Sequence, residues 1–160
     1  MPSVYLETTI PSYLVARLSP DEDLAEKQAL TKGWWENHRH RCELVTSETV
    51  LEEASLGDAN QSRLRLASLE GVRILGPSPE VEFVGGELVR KGWLPKGAML
   101  DAYHIAYASV YLIDFLLTWN CAHLANEVTR QLIERWLRKL DKHIPVICTP
   151  IDLMEQSDGY

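Results

Sequence analysis

The sequence predicts an α/β domain of three layers, in which helices cover both faces of a mainly parallel sheet of four or five strands. Short apolar runs alternate with helical patterns along the whole chain, and such alternation implies crossover connections between parallel strands. Polar or acidic side chains follow several of the apolar runs, as expected where strands end at an open sheet edge. The 160 residues are 46% hydrophobic and 24% charged, which suits one globular domain with a sizeable core.

We expect a single domain over residues 1–160, with an ordered core of about 3–150. No run of about 18 uncharged apolar residues is present, and the N-terminus lacks the basic and apolar regions of a signal peptide. The sequence therefore predicts a soluble cytoplasmic protein with no membrane partner. Cys42, Cys121 and Cys148 are an odd number without CxxC spacing, so we predict reduced core residues rather than a disulfide or zinc role.

Five strands are predicted, over 4–7, 42–46, 72–75, 115–118 and 146–149. Helices are predicted over 11–18, 21–37, the segment after Ser47, 61–69, 79–92, 100–111 and 126–140. Pro11 lies in the first turn of its helix, with Thr8 and Thr9 as candidate caps. Ser47 and Ser78 are predicted to cap the helices that follow them. A loop that holds Pro95 and Gly97 precedes the helix of 100–111.

Acidic and amide side chains recur at one predicted edge of the sheet. Glu7 ends the first strand, Asn120 follows the fourth, and Glu53 and Asp101 lie in early turns of helices. Carboxylates crowded at one edge repel one another unless a cation shares them. An all-oxygen ligand set favours a hard ion, Mg²⁺ or Mn²⁺, which also meets substrate phosphates. The pattern therefore predicts metal-assisted hydrolysis of a phosphodiester bond.

Each of these residues also has a simpler explanation. Asp101 suits a helix N-terminus through the helix dipole, and Asn120 suits a turn. Glu52 and Glu53 are about 100 degrees apart on a helix, so both cannot face the site equally. Asp114, before the fourth strand, is interpreted as a turn or capping residue. The Cys121–His123 pair lacks the further ligands that a zinc site needs.

The net charge is −7 at pH 7. Broad non-specific binding of nucleic acid depends on Lys and Arg and is therefore disfavoured. A nuclease remains compatible with this charge, because bound cations offset carboxylates gathered for a metal.

Four segments of the chain resemble the PIN-domain nucleases, specifically the VapC-type toxins. These segments are VYLETTIPSYL, SETVLEEA, DAYHIAYASV and DFLLTWNCAHLAN. The resemblance covers nearly the whole chain and implies an endoribonuclease that binds Mg²⁺ or Mn²⁺ and cuts single-stranded RNA. It also implies a homodimer and an antitoxin partner of a type II toxin–antitoxin pair.

The resemblance implies that Glu7, Glu53, Asp101 and Asn120 are the catalytic and metal-binding residues, with Glu52 less favoured than its neighbour. Thr8 or Thr9 falls where the family has a small hydroxyl residue beside the first acid. Thr8, Thr118 and His104 are assigned supporting or substrate-contacting roles, although a structural role is the favoured interpretation of His104.

Two positions depart from the family pattern. Glu7 stands where an Asp is usual, and Asn120 stands where a fourth acid is usual. A non-catalytic PIN module that binds RNA or a protein partner therefore stays open as an alternative. A phosphatase-like pocket is a weaker alternative, because no adjacent pair of Asp residues follows the first strand.

Overall fold

A computed structural model describes residues 1–91 and 99–158 of the chain. The strands are β1 (Ser3–Leu6), β2 (Glu43–Ser47), β3 (Arg73–Leu75), β4 (Phe115–Leu117) and β5 (Val146–Cys148). The helices are α1 (Thr9–Val15), α2 (Glu22–Asn37), α3 (Glu48–Ala54), α4 (Ala59–Ser68), α5 (Pro79–Arg90), α6 (Met99–Val110), α7 (Glu127–Lys139) and α8 (Pro150–Asp158). A short 3₁₀ helix over Arg39–Arg41 precedes β2.

The sheet is parallel throughout, in the order β3-β2-β1-β4-β5. The chain builds one half of the sheet outward from β1 through β2 to β3, then returns to the other side of β1 to add β4 and β5. The strand order therefore reverses between β1 and β4. In open parallel sheets a crevice forms at such a reversal, beyond the carboxyl ends of the strands.

The core follows from uninterrupted burial along the central strands. Val4, Tyr5 and Leu6 are consecutive in β1 and all fully buried. Because successive side chains in a strand point to opposite faces, both faces of the sheet must be covered. Among the helices, α1 packs against α2 and α4, and α5 packs against α6. The predicted α/β/α architecture is confirmed.

Local capping signals were good guides to helix starts. The side chains of Ser47, Ser78 and Asn126 each accept a hydrogen bond from a backbone N–H in the first turn of α3, α5 and α7. Thr8 precedes α1, but its side chain makes no cap hydrogen bond, because its hydroxyl donates to Glu53 instead. Helix α8 was not predicted and extends the ordered chain beyond residue 150. The predicted loop with Pro95 and Gly97 lies outside the described residues.

The cysteine prediction was wrong for one residue. Cys148 is buried and Cys42 is half-buried, whereas Cys121 is exposed in the loop after β4. Burial raises the pKa of the Cys148 thiol to about 12, so this side chain behaves as a small apolar group. Cys121 follows Asn120, where the chain leaves the sheet edge for solvent.

The contact between α5 and α6 depends on Gly85. A Cβ atom at this position would stand 3.0 Å from two carbons of the Tyr103 ring, whereas nothing lies within 4 Å of a Cβ at Gly86. We expect Gly86→Ala to raise the free energy of unfolding by up to about 1 kcal/mol, the helix preference of Ala over Gly. Gly85→Ala should be less stable than Gly86→Ala by about 1 kcal/mol or more, because the added methyl group overpacks the contact.

Urea unfolding of the two glycine variants measures this difference. Equal stabilisation of both variants would contradict the tight contact, since each substitution has the same intrinsic helix preference.

Candidate active site

The candidate site lies at the reversal between β1 and β4. Glu7 follows the last residue of β1 directly, and its backbone N–H donates to Leu117 O at the end of β4, at 3.1 Å. Although it is an acid, Glu7 is only 4% exposed. A nearly buried carboxylate at a sheet edge requires partners that stabilise its charge.

The partners of Glu7 are two threonines from different segments. Its Oε1 accepts hydrogen bonds from Thr118 Oγ1 at 2.6 Å, from Thr9 Oγ1 at 2.5 Å and from Thr9 N at 3.2 Å. Thr9 Oγ1 in turn accepts from Trp119 N at 2.9 Å, and Thr118 Oγ1 accepts from Asn120 N at 2.9 Å. These bonds join the start of α1 to the segment after β4. The second oxygen, Oε2, accepts none of the hydrogen bonds found among the described residues.

Glu53 reaches the same region from α3. Its Oε1 accepts from Thr8 Oγ1 at 2.9 Å and stands 2.7 Å from His104 Nε2. The ring N–H is not aligned with this oxygen as in a regular hydrogen bond, so the two side chains make a close polar contact. Glu52, its neighbour on the helix, is exposed. The choice of Glu53 over Glu52 as the residue that faces the site therefore agrees with the structure.

Asp101, in the first turn of α6, contacts two side chains of the loop after β4. Asn120 Nδ2 lies 3.3 Å from its Oδ1, and His123 Nδ1 lies 3.0 Å from its Oδ2. Asn120 Oδ1 accepts from His123 N at 3.1 Å. Asn120 thus directs its amide nitrogen to Asp101 while its carbonyl oxygen stabilises the loop.

A buried histidine connects the three acids electrostatically. Burial lowers the pKa of His104, but the contact with Glu53 and the charges of Glu7, Glu53 and Asp101 outweigh it, so the pKa is raised overall. Burial raises the pKa of Glu7. His104 and the hydrogen bonds from the threonines lower it, but burial outweighs them and the net pKa is raised. Partial burial raises the pKa of Glu53, but His104 and Thr8 outweigh it and the net pKa is lowered. The charges of three acids thus act on one buried histidine.

Known structures with this architecture include three bacterial proteins. VapBC2 from Rickettsia felis, bound to a DNA fragment from its promoter, matches with a TM-score of 0.52 and 17% identity, over 91% of this chain and 97% of that one. VapC20 from Mycobacterium tuberculosis, a Sarcin-Ricin loop cleaving toxin, matches with a TM-score of 0.56 and 20% identity, over 71% and 87%. VapBC-1 from nontypeable Haemophilus influenzae matches with a TM-score of 0.54 and 18% identity, over 92% and 98%.

The chain has the fold of a VapC-type PIN domain. No protein-family model and no curated protein sequence matches it. Likeness at 17 to 20% identity establishes the fold and no more.

The acids of this chain fall where the sequence places them, at the carboxyl edge of the sheet. Of the two hydroxyl residues offered for the position beside the first acid, Thr9 is the one that binds Glu7. Thr8 donates a hydrogen bond to Glu53, whereas Thr9 and Thr118 donate hydrogen bonds to Glu7. His104 contacts an acid, as the sequence allowed, and it is fully buried.

Three site residues were missed at the level of the sequence. Tyr5 Oη contacts Nδ1 of His104, the ring nitrogen that does not face Glu53, and Ser47 in turn contacts Tyr5 Oη. His123 contacts Asp101. His123 had a weak signal, since an Asn three residues before it is typical of a capped turn. Asp114 is excluded from the site, because it binds Ser3 at the opposite end of β1.

The donor chemistry of the site fits a hard divalent cation. Oε2 of Glu7 and Oε2 of Glu53 are carboxylate oxygens that accept none of the hydrogen bonds among the described residues. Within residues 1–91 and 99–158, however, no three His, Cys, Asp or Glu side chains converge as they would around an ion. The carboxylates are held by hydroxyl, imidazole and amide partners, and the cation remains a prediction.

Proposed function

We propose that this chain is a metal-dependent endoribonuclease and the toxin of a type II toxin–antitoxin pair. The observation that carries the proposal is the placement of Glu7, Glu53 and Asp101, from three separate segments, beside the reversal between β1 and β4, where Glu53 contacts Thr8 after β1 and Asp101 contacts Asn120 after β4. The negative charge of such a cluster suits a divalent cation and, through it, a phosphate substrate.

In this proposal Glu7, Glu53 and Asp101 would hold Mg²⁺ or Mn²⁺, with Asn120 as a neutral fourth member. A bound divalent cation lowers the pKa of an attacking water and offsets charge on the phosphate. Thr9 and Thr118 fix the first carboxylate by binding its Oε1. Asn120 and His123 orient Asp101 in the same way. The chain thus supplies oriented ligands before substrate arrives.

The structural neighbours support RNA as the substrate. VapC20 is a Sarcin-Ricin loop cleaving toxin, and its fold is the one described above. We extend RNA cleavage to this chain because its acids occupy the crevice at the strand reversal, the usual ligand position in open parallel sheets.

Cleavage of labelled single-stranded RNA tests the proposal, with Mg²⁺, with Mn²⁺ and with EDTA. We expect cutting with either metal and none with EDTA. Glu53→Gln should reduce kcat/KM by about 100-fold, because a metal interaction is worth several kcal/mol and each tenfold is 1.36 kcal/mol. Glu52→Gln removes the same charge from an exposed neighbour and should leave the rate within about twofold, as surface substitutions usually do.

Equal loss in the two glutamate variants would contradict a specific role for Glu53. If the folded protein binds RNA but does not cut it with Mg²⁺ or with Mn²⁺, the chain would instead be a non-catalytic binding module. That alternative is favoured by one observation, the neutral amide of Asn120 at the fourth position.

A groove beside the site is a candidate surface for an antitoxin segment. It has a volume of about 630 Å³ and lies among α1, α2 and α4. Tyr13, which lines it, stacks on Trp119 with ring centroids 6.3 Å apart, so the groove leads toward the segment that supports Glu7. Leu18 and Leu56 lie within two residues of groove residues in the sequence, and their side chains are 72% and 67% exposed. Exposed apolar side chains of this kind favour a protein partner.

We also propose an antitoxin partner for this chain, in line with the VapBC structures among its neighbours, and a homodimer, as the family resemblance of the sequence implies. Light scattering should give twice the 18.2 kDa mass of one chain, and a monomer mass would contradict the dimer. Co-expression with the product of an adjacent reading frame should yield a complex that no longer cuts RNA. Within the described residues, no helix combines the length and apolar character that crossing a bilayer requires.

A further inference from the structure

A chain of buried polar contacts runs from the middle of the sheet to Glu53. Ser47 Oγ and Tyr5 Oη are 2.7 Å apart, Tyr5 Oη and His104 Nδ1 are 2.7 Å apart, and His104 Nε2 is 2.7 Å from Glu53 Oε1. Tyr5, Ser47 and His104 are fully buried. We call these four residues the Tyr5 relay. Polar groups this deep in a core are costly unless each has a partner.

The contacts of the Tyr5 relay are compatible with both charge states of His104. An ionised carboxylate only accepts, so its contact with His104 is favourable when Nε2 carries a proton. In the neutral ring Nδ1 then accepts from the Tyr5 hydroxyl, and in the protonated ring it donates to Tyr5 Oη. Ser47 Oγ already accepts from Val50 N at 3.2 Å, and its own hydroxyl hydrogen is available to Tyr5 Oη. Loss of the Tyr5 hydroxyl therefore removes the partner of Nδ1 that holds the orientation of the His104 ring.

The outer end of the relay determines how Glu53 is presented. His104 and Thr8 both contact Oε1 of Glu53, at 2.7 and 2.9 Å. Two contacts on one oxygen fix the rotation of the carboxylate and leave Oε2 as its unengaged oxygen. The carboxylate is only partly exposed, with 24% of the side chain accessible, so its freedom to turn is limited further.

We infer that Tyr5 is a positioning residue for cation binding, which acts by fixing His104 and, through it, the carboxylate of Glu53. This inference rests on the proposed function, because it concerns the cation that the acids would share. The alternative is that the relay only satisfies buried polar groups and contributes stability alone.

Tyr5→Phe removes one oxygen and keeps the ring that stacks on Tyr107 at 6.5 Å. Tyr111→Phe is a matched control, since it deletes a hydroxyl that donates to Gly76 O at the same 2.7 Å distance and takes no part in the relay. Mn²⁺ affinity is measured by calorimetry without RNA, and Tm is measured in EDTA. We expect Tyr5→Phe to weaken Mn²⁺ binding about 10-fold or more, as loss of groups behind metal ligands commonly does. Tyr111→Phe should bind Mn²⁺ like the wild type, although both variants lose some Tm.

Wild-type Mn²⁺ affinity in Tyr5→Phe, with only a lower Tm, would overturn the inference and leave the proposed function intact. Failure of the wild-type protein to bind Mn²⁺ would overturn both. If Tyr5→Phe does not fold, Thr8→Val removes the other donor to Oε1 at a half-buried position. An unchanged Mn²⁺ affinity in that variant would show that fixing Oε1 is unimportant and would likewise overturn the inference.

Discussion

Asp101→Asn is expected to reduce kcat/KM for RNA cleavage by at least about 100-fold, since a metal ligand contributes several kcal/mol to the transition state. The substitution keeps the shape of the side chain and removes its charge. Asn120 and His123 both approach the Asp101 carboxylate with nitrogen atoms, at 3.3 and 3.0 Å. An amide at position 101 would turn its nitrogen toward one of them. Beside Asn120 Nδ2 this would place two donors together, so the contact with the loop is expected to weaken as the ligand charge is lost.

Asp114→Asn is the control for this experiment. Asp114 accepts hydrogen bonds from Ser3 at the amino end of β1, far along the strand from the candidate site. Its substitution should lower stability without changing kcat/KM of the folded fraction. Retention of metal-dependent cutting by Asp101→Asn, with a loss of Tm only, would contradict a catalytic role for Asp101.

The sheet and the edge at which the acids gather could be predicted because their signals are local. Apolar runs such as VYL and FLL mark strands that are buried on both faces. Ser47 and Ser78 mark helix starts through a hydrogen bond that spans only three residues. A polar residue that follows such a strand must lie at the sheet edge, and Glu7 and Asn120 could be placed there for that reason.

The contacts behind the acids could not be predicted, because they depend on the packing of distant segments. Tyr5 occupies an ordinary core position in β1, and its hydroxyl partners lie 42 and 99 residues away along the chain. The roles of Thr8 and Thr9 depend on where α1 begins, and the helix starts two residues before Pro11. A shift of one or two residues in the helix start changes which threonine hydroxyl faces Glu7 and which faces Glu53.

Glu7→Gln is expected to abolish cation-dependent cutting and, in the same protein without metal, to raise Tm by a few degrees. Burial raises the pKa of Glu7, so the folded state at neutral pH bears the cost of a buried charge that an amide would not carry. Oε1 of a glutamine can still accept the hydrogen bonds from Thr9 and Thr118, since its carbonyl oxygen occupies the same position. For a chain of 150–250 residues, about 1 kcal/mol corresponds to about 2–4 °C in Tm.

The pH dependence of this gain identifies its cause. Because the pKa of Glu7 is higher in the folded state, folding is favoured by protonation, and the contribution of this residue to stability falls as pH rises through the folded pKa. The stabilisation in Glu7→Gln should therefore be full above that pKa and should disappear as pH falls toward the ordinary glutamate value of 4.5. Thermal unfolding of the wild type and of Glu7→Gln in EDTA at several pH values measures the difference in stability between them. The contributions of other titrating groups are common to both proteins and cancel in this difference. A variant less stable than the wild type at neutral pH would show that His104 and the threonines more than offset the burial of the Glu7 charge. The acid would then be a net source of stability, rather than a strained ligand that the fold retains for its chemistry.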